Sequence, residues 1–122
     1  MAGSGEAEKW ARDTGRLVDE CSSLLGRELT AYLSGLDAPH YLARLLDPAD
    51  PEARAARERL ETARAIVRAF SDDRAPAARA WLTDVDAELS WRAPATAVRC
   101  AADRSEREEL RRRAEAAADP PL

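Results

Sequence analysis

The stretch from Pro51 to Phe70 constrains this chain most. Ala56, Leu60, Ala63, Val67 and Phe70 recur at alternating intervals of four and three, which places them on one stripe of an α-helix. Asp50 stands before the stretch as an N-cap, with Pro51 at the first helical position, and Ser71-Asp72-Asp73 stops it. This is the longest helix the sequence predicts, and its stripe must be covered. Strand formers are scarce, with one Phe, two Tyr, one Ile and four Val in 122 residues, so helices must cover it. The predicted class is a small all-α domain. Its core is thin, because 27 of the residues are Ala, which buries little surface.

Six further helices are predicted. The first spans about Glu8 to Leu25, with Trp10, Leu17, Val18, Cys21, Leu24 and Leu25 on one face, after a mobile Gly/Ser/Ala leader over residues 1–8. Gly26 ends it. Arg27 to Ser34 forms a second, short helix with Leu29, Tyr32 and Leu33 inward, which Gly35 terminates. Pro39 to Leu46 makes a third, and two short helices joined by a Gly-containing turn have the shape of a helix-turn-helix. Beyond the long helix, a fifth is expected near Arg74 to Thr83 and a sixth from Pro94 to about Ala101. The last is capped by the box Ser105-Glu106-Arg107-Glu108 and ends near Ala118. It carries one large apolar residue, Leu110, beside the pairs Glu108/Arg112 and Glu109/Arg113, and is expected on the surface.

The formal net charge is −4, and neither half of the chain is basic. A protein that gains affinity by neutralising phosphates usually carries a positive face, so nucleic acid is disfavoured as the main partner. The first nine residues include Glu6, Glu8 and Lys9 and no apolar run, and no stretch approaches a membrane span, so a cytoplasmic protein without membrane contact is expected. Cys21 and Cys100 stand apart without a C-x-x-C, and His40 is the sole histidine. Two free, mostly buried thiols and no metal or cofactor follow. Paired carboxylates such as Asp72/Asp73, Asp84/Asp86 and Glu108/Glu109 read as caps and surface charges. No nucleophile elbow, P-loop or dinucleotide fingerprint occurs, so no enzyme and no catalytic residue is expected.

Three segments carry a resemblance. Leu24-Leu25-Gly26-Arg27-Glu28-Leu29-Thr30-Ala31-Tyr32-Leu33-Ser34-Gly35-Leu36 is the first, Arg59-Leu60 with Ala63 the second. The third runs from Trp81-Leu82 through Asp84 and Leu89 to Arg92-Ala93-Pro94-Ala95. In this order and spacing, from Leu24 to Arg99, the chain resembles the Xre/MbcA/ParS family of bacterial antitoxins, in its actinobacterial form. The resemblance implies a helix-turn-helix-like region over residues 9–71 that includes the long helix. It also implies a toxin-binding region over residues 72–118 and an extended tail over residues 119–122. It implies a homo-oligomer that binds and neutralises a RES-type, NAD-consuming toxin, with possible repression of its own operon. The other readings are a helix-turn-helix regulator without a toxin and a helical adaptor or oligomerisation protein.

The candidate residues follow from this. Trp91 and Arg92, just ahead of Pro94, are of the types enriched at interface hot spots, and Arg99 lies one helix further on. Leu122 ends a stiff Asp119-Pro120-Pro121 tail able to enter a cleft, as the family's C-terminal segment does. His40, Tyr41 and Arg44 of the third helix are the candidate DNA contacts. Between Arg27 and Asp47 the balance is Arg27 and Arg44 against Glu28, Asp37 and Asp47, so weak, salt-dependent DNA binding is expected.

Overall fold

The computed structural model describes residues 2–37, 40–85, 89 and 92–119. They form seven α-helices and no strand: α1 (Ala2–Leu25), α2 (Arg27–Ser34), α3 (Tyr41–Leu45), α4 (Ala53–Phe70), α5 (Ala75–Thr83), α6 (Pro94–Cys100) and α7 (Arg104–Ala118). A 3-10 turn over Asp72–Arg74 precedes α5. The all-α class is as the composition requires.

The breaks fall where local chemistry puts them. Gly26 and Gly35 both have positive φ, 91° and 78°, which glycine adopts without cost. Gly26 turns the chain between α1 and α2, while Gly35 caps α2 in the left-handed conformation. At the head of α4 the Asp50 carboxylate accepts the Glu52 N–H at 2.9 Å, and the Asp50 carbonyl accepts that of Ala53 at 3.1 Å. The expected start is corrected: these bonds close a turn over Asp50–Glu52 too tight to be α-helical, so Pro51 lies outside the helix and α4 begins at Ala53, with Glu52 in the cap position and no side chain capping it. At the other end Ser71 is the one described non-glycine residue with positive φ, 75°, and its hydroxyl bonds the Asp73 carboxylate at 2.8 Å.

Every other helix touches α4. The predicted stripe Ala56, Leu60, Ala63, Val67 and Phe70 is buried, joined by Ala53 and Ile66. A single apolar core gathers Leu25 of α1, Leu33 of α2, Leu45 of α3, Leu82 of α5, Val98 of α6 and Leu110 of α7 around it, so the N-terminal and C-terminal regions share one interior. Trp10 and Trp81 sit at its margin, half-buried. The Trp10 indole N–H donates to the Leu45 carbonyl at 3.0 Å and its ring lies under the Arg57 guanidinium, 4.6 Å away; Trp81 packs on Phe70 with ring centroids 6.2 Å apart.

Several expectations are corrected. α1 starts at Ala2, so residues 2–8 of the expected leader have helical backbone; Ala, Glu and Lys favour extension of a helix already nucleated further on. α3 is five residues long rather than two turns, and Pro39 lies outside the described residues. Tyr32 does not point inward but is 38% exposed, turned towards α6, where its ring meets Arg99 and its hydroxyl meets Thr96.

The largest correction concerns α7. It packs more extensively on α4 than any other helix does, through Leu110, Ala114 and Ala118, one apolar residue per turn. Two of these three are alanines, whose small side chains let the helices approach closely while contributing little apparent hydrophobicity. Arg107 adds an ion pair to Glu58 of α4 at 3.1 Å. The working cap is Asp103, whose carboxylate accepts the Glu106 N–H at 2.9 Å while Glu106 reaches back to the Ala102 N–H at 3.0 Å. Glu108 pairs with Arg104 at 2.8 Å instead of Arg112, and Glu109 pairs with both Arg112 and Arg113.

Ala114 has no exposed surface, so enlarging it must push α7 off α4. Ala114→Leu is expected to destabilise the chain by about 1–3 kcal/mol in urea unfolding; an unchanged midpoint would mean that α7 does not dock there.

Candidate functional site

α6 begins at Pro94, a pre-organised helix start, and extends seven residues to Cys100. Its two faces meet different neighbours. On one side Ala97 and Cys100 look towards α7, and with Leu89, Arg92 and Leu110, and the polar side chains of Ser105, Glu106, Glu109 and Arg113, they line a groove of about 560 Å³. That volume falls within the range that holds small ligands or a few side chains of a partner, roughly 300–1,000 Å³. The floor is apolar at Leu89, Ala97 and Leu110. At the rim Arg92 is exposed, its Nε–H donating to the Leu89 carbonyl at 3.3 Å.

On the opposite side α6 faces α2. The Arg99 Nη1–H donates to the Tyr32 carbonyl at 2.6 Å and its guanidinium lies 4.7 Å above the Tyr32 ring, while the Tyr32 and Thr96 hydroxyls bond at 2.9 Å. Arg59 of α4 completes the junction, donating from Nη1 to the Ser34 carbonyl at 3.1 Å and from Nε to the Ala101 carbonyl at 3.4 Å. These carbonyls lie at helix C-termini, which carry partial negative charge and leave acceptor capacity open beyond the Gly35 N–H that already bonds the Tyr32 carbonyl at 3.2 Å, so an arginine suits them. Gly35 makes room for this: a Cβ there would stand 2.5 Å from the Arg59 Nη1.

The residues expected to bind a partner are thus divided. Arg92 lines the groove. Arg99 faces away from it and is occupied within the fold. Trp91 and Leu122 lie outside the described residues.

The candidate DNA contacts separate in the same way. His40 is exposed at the start of α3, and Tyr41 is half-buried against the core. Arg44 is held by two carboxylates, Asp50 at 3.0 Å and Glu52 at 2.7 Å, and these bonds lock it in the charged form. Its surroundings are therefore acidic, and its donors are committed to the connector rather than to base edges. The Arg44 guanidinium, helped by the Glu52 N–H, holds the Asp50 carboxyl below its ordinary 3.8; Arg64 does the same to Asp72.

The two thiols differ, contrary to the expectation that both would be mostly buried. Cys21 is buried, donates to the Leu60 carbonyl at 3.7 Å and is pushed up to about 12 by its burial. Cys100 is exposed, because it closes α6 on the groove side. Among the described residues no group of three His, Cys, Asp or Glu side chains is placed to hold a metal ion, and no helix is long and apolar enough to cross a membrane.

No family model, no curated protein and no solved structure matches the chain. The likeness to antitoxins therefore rests on its three motifs. The sequence had pointed to Arg92 but missed Ala97, Cys100, Leu110 and Arg113. The signal for the last two is an apolar residue and an arginine three positions apart on the last helix.

Two measurements follow. Asp50 and Asp72 have depressed pKa values in the folded chain, so the stability they provide is complete above the ordinary value of 3.8 and is lost as pH falls through the lower folded values. Denaturation midpoints measured from neutrality down to about pH 2 should fall on this acid limb, and Arg44→Gln should flatten it. For Cys21 the sign is opposite: the folded thiol resists ionisation, so stability should fall as pH rises above the ordinary 9.0. An aromatic disulfide reagent at mildly alkaline pH should accordingly titrate one thiol, Cys100, in the native chain and a second only on unfolding. Two fast-reacting native thiols would contradict the placement of Cys21.

Proposed function

We propose that this chain is an antitoxin-like, protein-binding module that neutralises a RES-type, NAD-consuming toxin through its C-terminal region. The observation that carries the binding role is the groove between α6 and α7, with its apolar floor and the exposed Arg92 at its rim. Such a combination of apolar surface with arginine is the composition of interface hot spots. The identity of the partner rests on the resemblance, whose third motif, Trp81 to Ala95, ends at the second residue of α6. The chain's own chemistry in this reading is steric: it binds the toxin and covers the entry to its NAD site, without a reaction step of its own.

The regulator reading is less well supported. α3 is short, and its only arginine is paired with Asp50 and Glu52. A helix in that state has little with which to read bases, and DNA binding in this proposal is weak unless assembly brings two copies together.

The test uses purified RES-type toxin titrated with the full chain, NAD consumption being the readout. The parent chain is expected to abolish consumption. Ala97→Arg, which fills the groove, and Arg92→Glu, which reverses the rim charge, are each expected to restore consumption at concentrations where the parent inhibits fully. Failure of the parent to inhibit would sink the antitoxin reading, and full inhibition by both variants would place the contact elsewhere on the chain.

A further inference from the structure

The groove and the α2 turn lie on opposite faces of one short helix, and the residues that serve them interleave. Cys100, on the groove wall, stands in sequence between Arg99, which holds the Tyr32 carbonyl, and Ala101, whose carbonyl is held by Arg59. A displacement of the Cys100 backbone bears first on these two neighbours in the chain, both of which are tied to α2 or α4 by hydrogen bonds.

Both arginines also hold the end of α2, Arg99 at Tyr32 and Arg59 at Ser34, and the Tyr32 to Thr96 hydroxyl bond runs alongside. Slack at this junction is small. The backbones approach so closely at Gly35 that an added Cβ would stand 2.5 Å from the Arg59 Nη1 and 3.2 Å from the Arg99 carbonyl, so no side chain could be accommodated between α2 and α6 here. Movement of α6 away from α2 breaks the hydrogen bonds.

We propose that Arg59 and Arg99 form a clamp that couples the α6/α7 groove to the C-terminal turn of α2, so that a group filling the groove beside Cys100 loosens residues Tyr32 to Leu36. The device transmits occupancy of one face of α6 to the helix-turn-helix-like region on the other. It depends on the groove and the clamp, not on the identity of the partner.

Cys100 provides the means of testing this without a toxin, because it is the exposed thiol of the two. The full chain is alkylated at Cys100 with a bulky aromatic maleimide, and amide hydrogen exchange is compared with that of the unmodified chain. Exchange at Leu33 to Leu36 is expected to quicken on the order of tenfold, with α1 unchanged. In Arg99→Gln the same amides should exchange faster before modification and respond little to it. The Cys100→Ser chain treated with the reagent controls for effects away from the groove. Faster exchange confined to α6 and α7 in the modified parent chain would overturn the proposal, whatever the variant does. Loss of protection throughout the chain would overturn it as well, by showing general destabilisation rather than coupling.

Discussion

The bundle depends on a close approach to α4. Every other helix packs on it, and such crowding is possible because Ala53, Ala56 and Ala63 stand where larger residues would hold the neighbours away. Close approach replaces side-chain volume: with little apolar area in each alanine, cohesion comes from dense contact along the backbones, where many weak dispersion interactions add up. Leu60, Ile66 and Val67 fill what remains, and none of them has exposed surface.

Short helices packed this closely have many ends inside a small volume, and each C-terminus presents carbonyls without helical partners. Here side-chain donors meet them. Arg59 serves the ends of both α2 and α6, Arg99 serves α2, Arg74 reaches the Ala118 carbonyl at the end of α7 at 3.4 Å, and the Trp10 indole meets Leu45 at the end of α3. Arg64 adds a link of another kind, joining Glu20 of α1 to Asp72 beyond α4 at 2.7 and 2.8 Å. These four arginines thus hold parts of the fold together. The guanidinium groups at the helix ends have donors committed to backbone carbonyls, and the one in α3 is paired with carboxylates.

α6 shows how little structure is needed to bring the two regions together. It presents Arg99 and Thr96 to α2 and Ala97 and Cys100 to α7. The proposed binding groove and the proposed clamp are then consequences of one placement. Rotating α6 by about half a turn around its axis would exchange the residues on the two faces and remove both.

The sequence by itself determined the helices and most of their ends, since glycine at positive φ, proline in a first turn and a capping carboxylate act over only a few residues. It also determined the stripe of α4, which repeats at the helical period. What lay beyond it was whatever depended on distant partners. Asp103-x-x-Glu106 and Ser105-x-x-Glu108 are both acceptable capping boxes, and it is the Asp103 box that caps α7 where it docks on α4. Ala114 and Ala118 look indifferent in a sequence because alanine's contribution is the proximity it permits, which exists only once a second helix is present. Arg92 and Arg99 are chemically alike and seven residues apart, yet one borders an open groove and the other is spent on a carbonyl 67 residues away in the chain. Only the tertiary structure separates them, because a guanidinium takes its role from the acceptors within its reach.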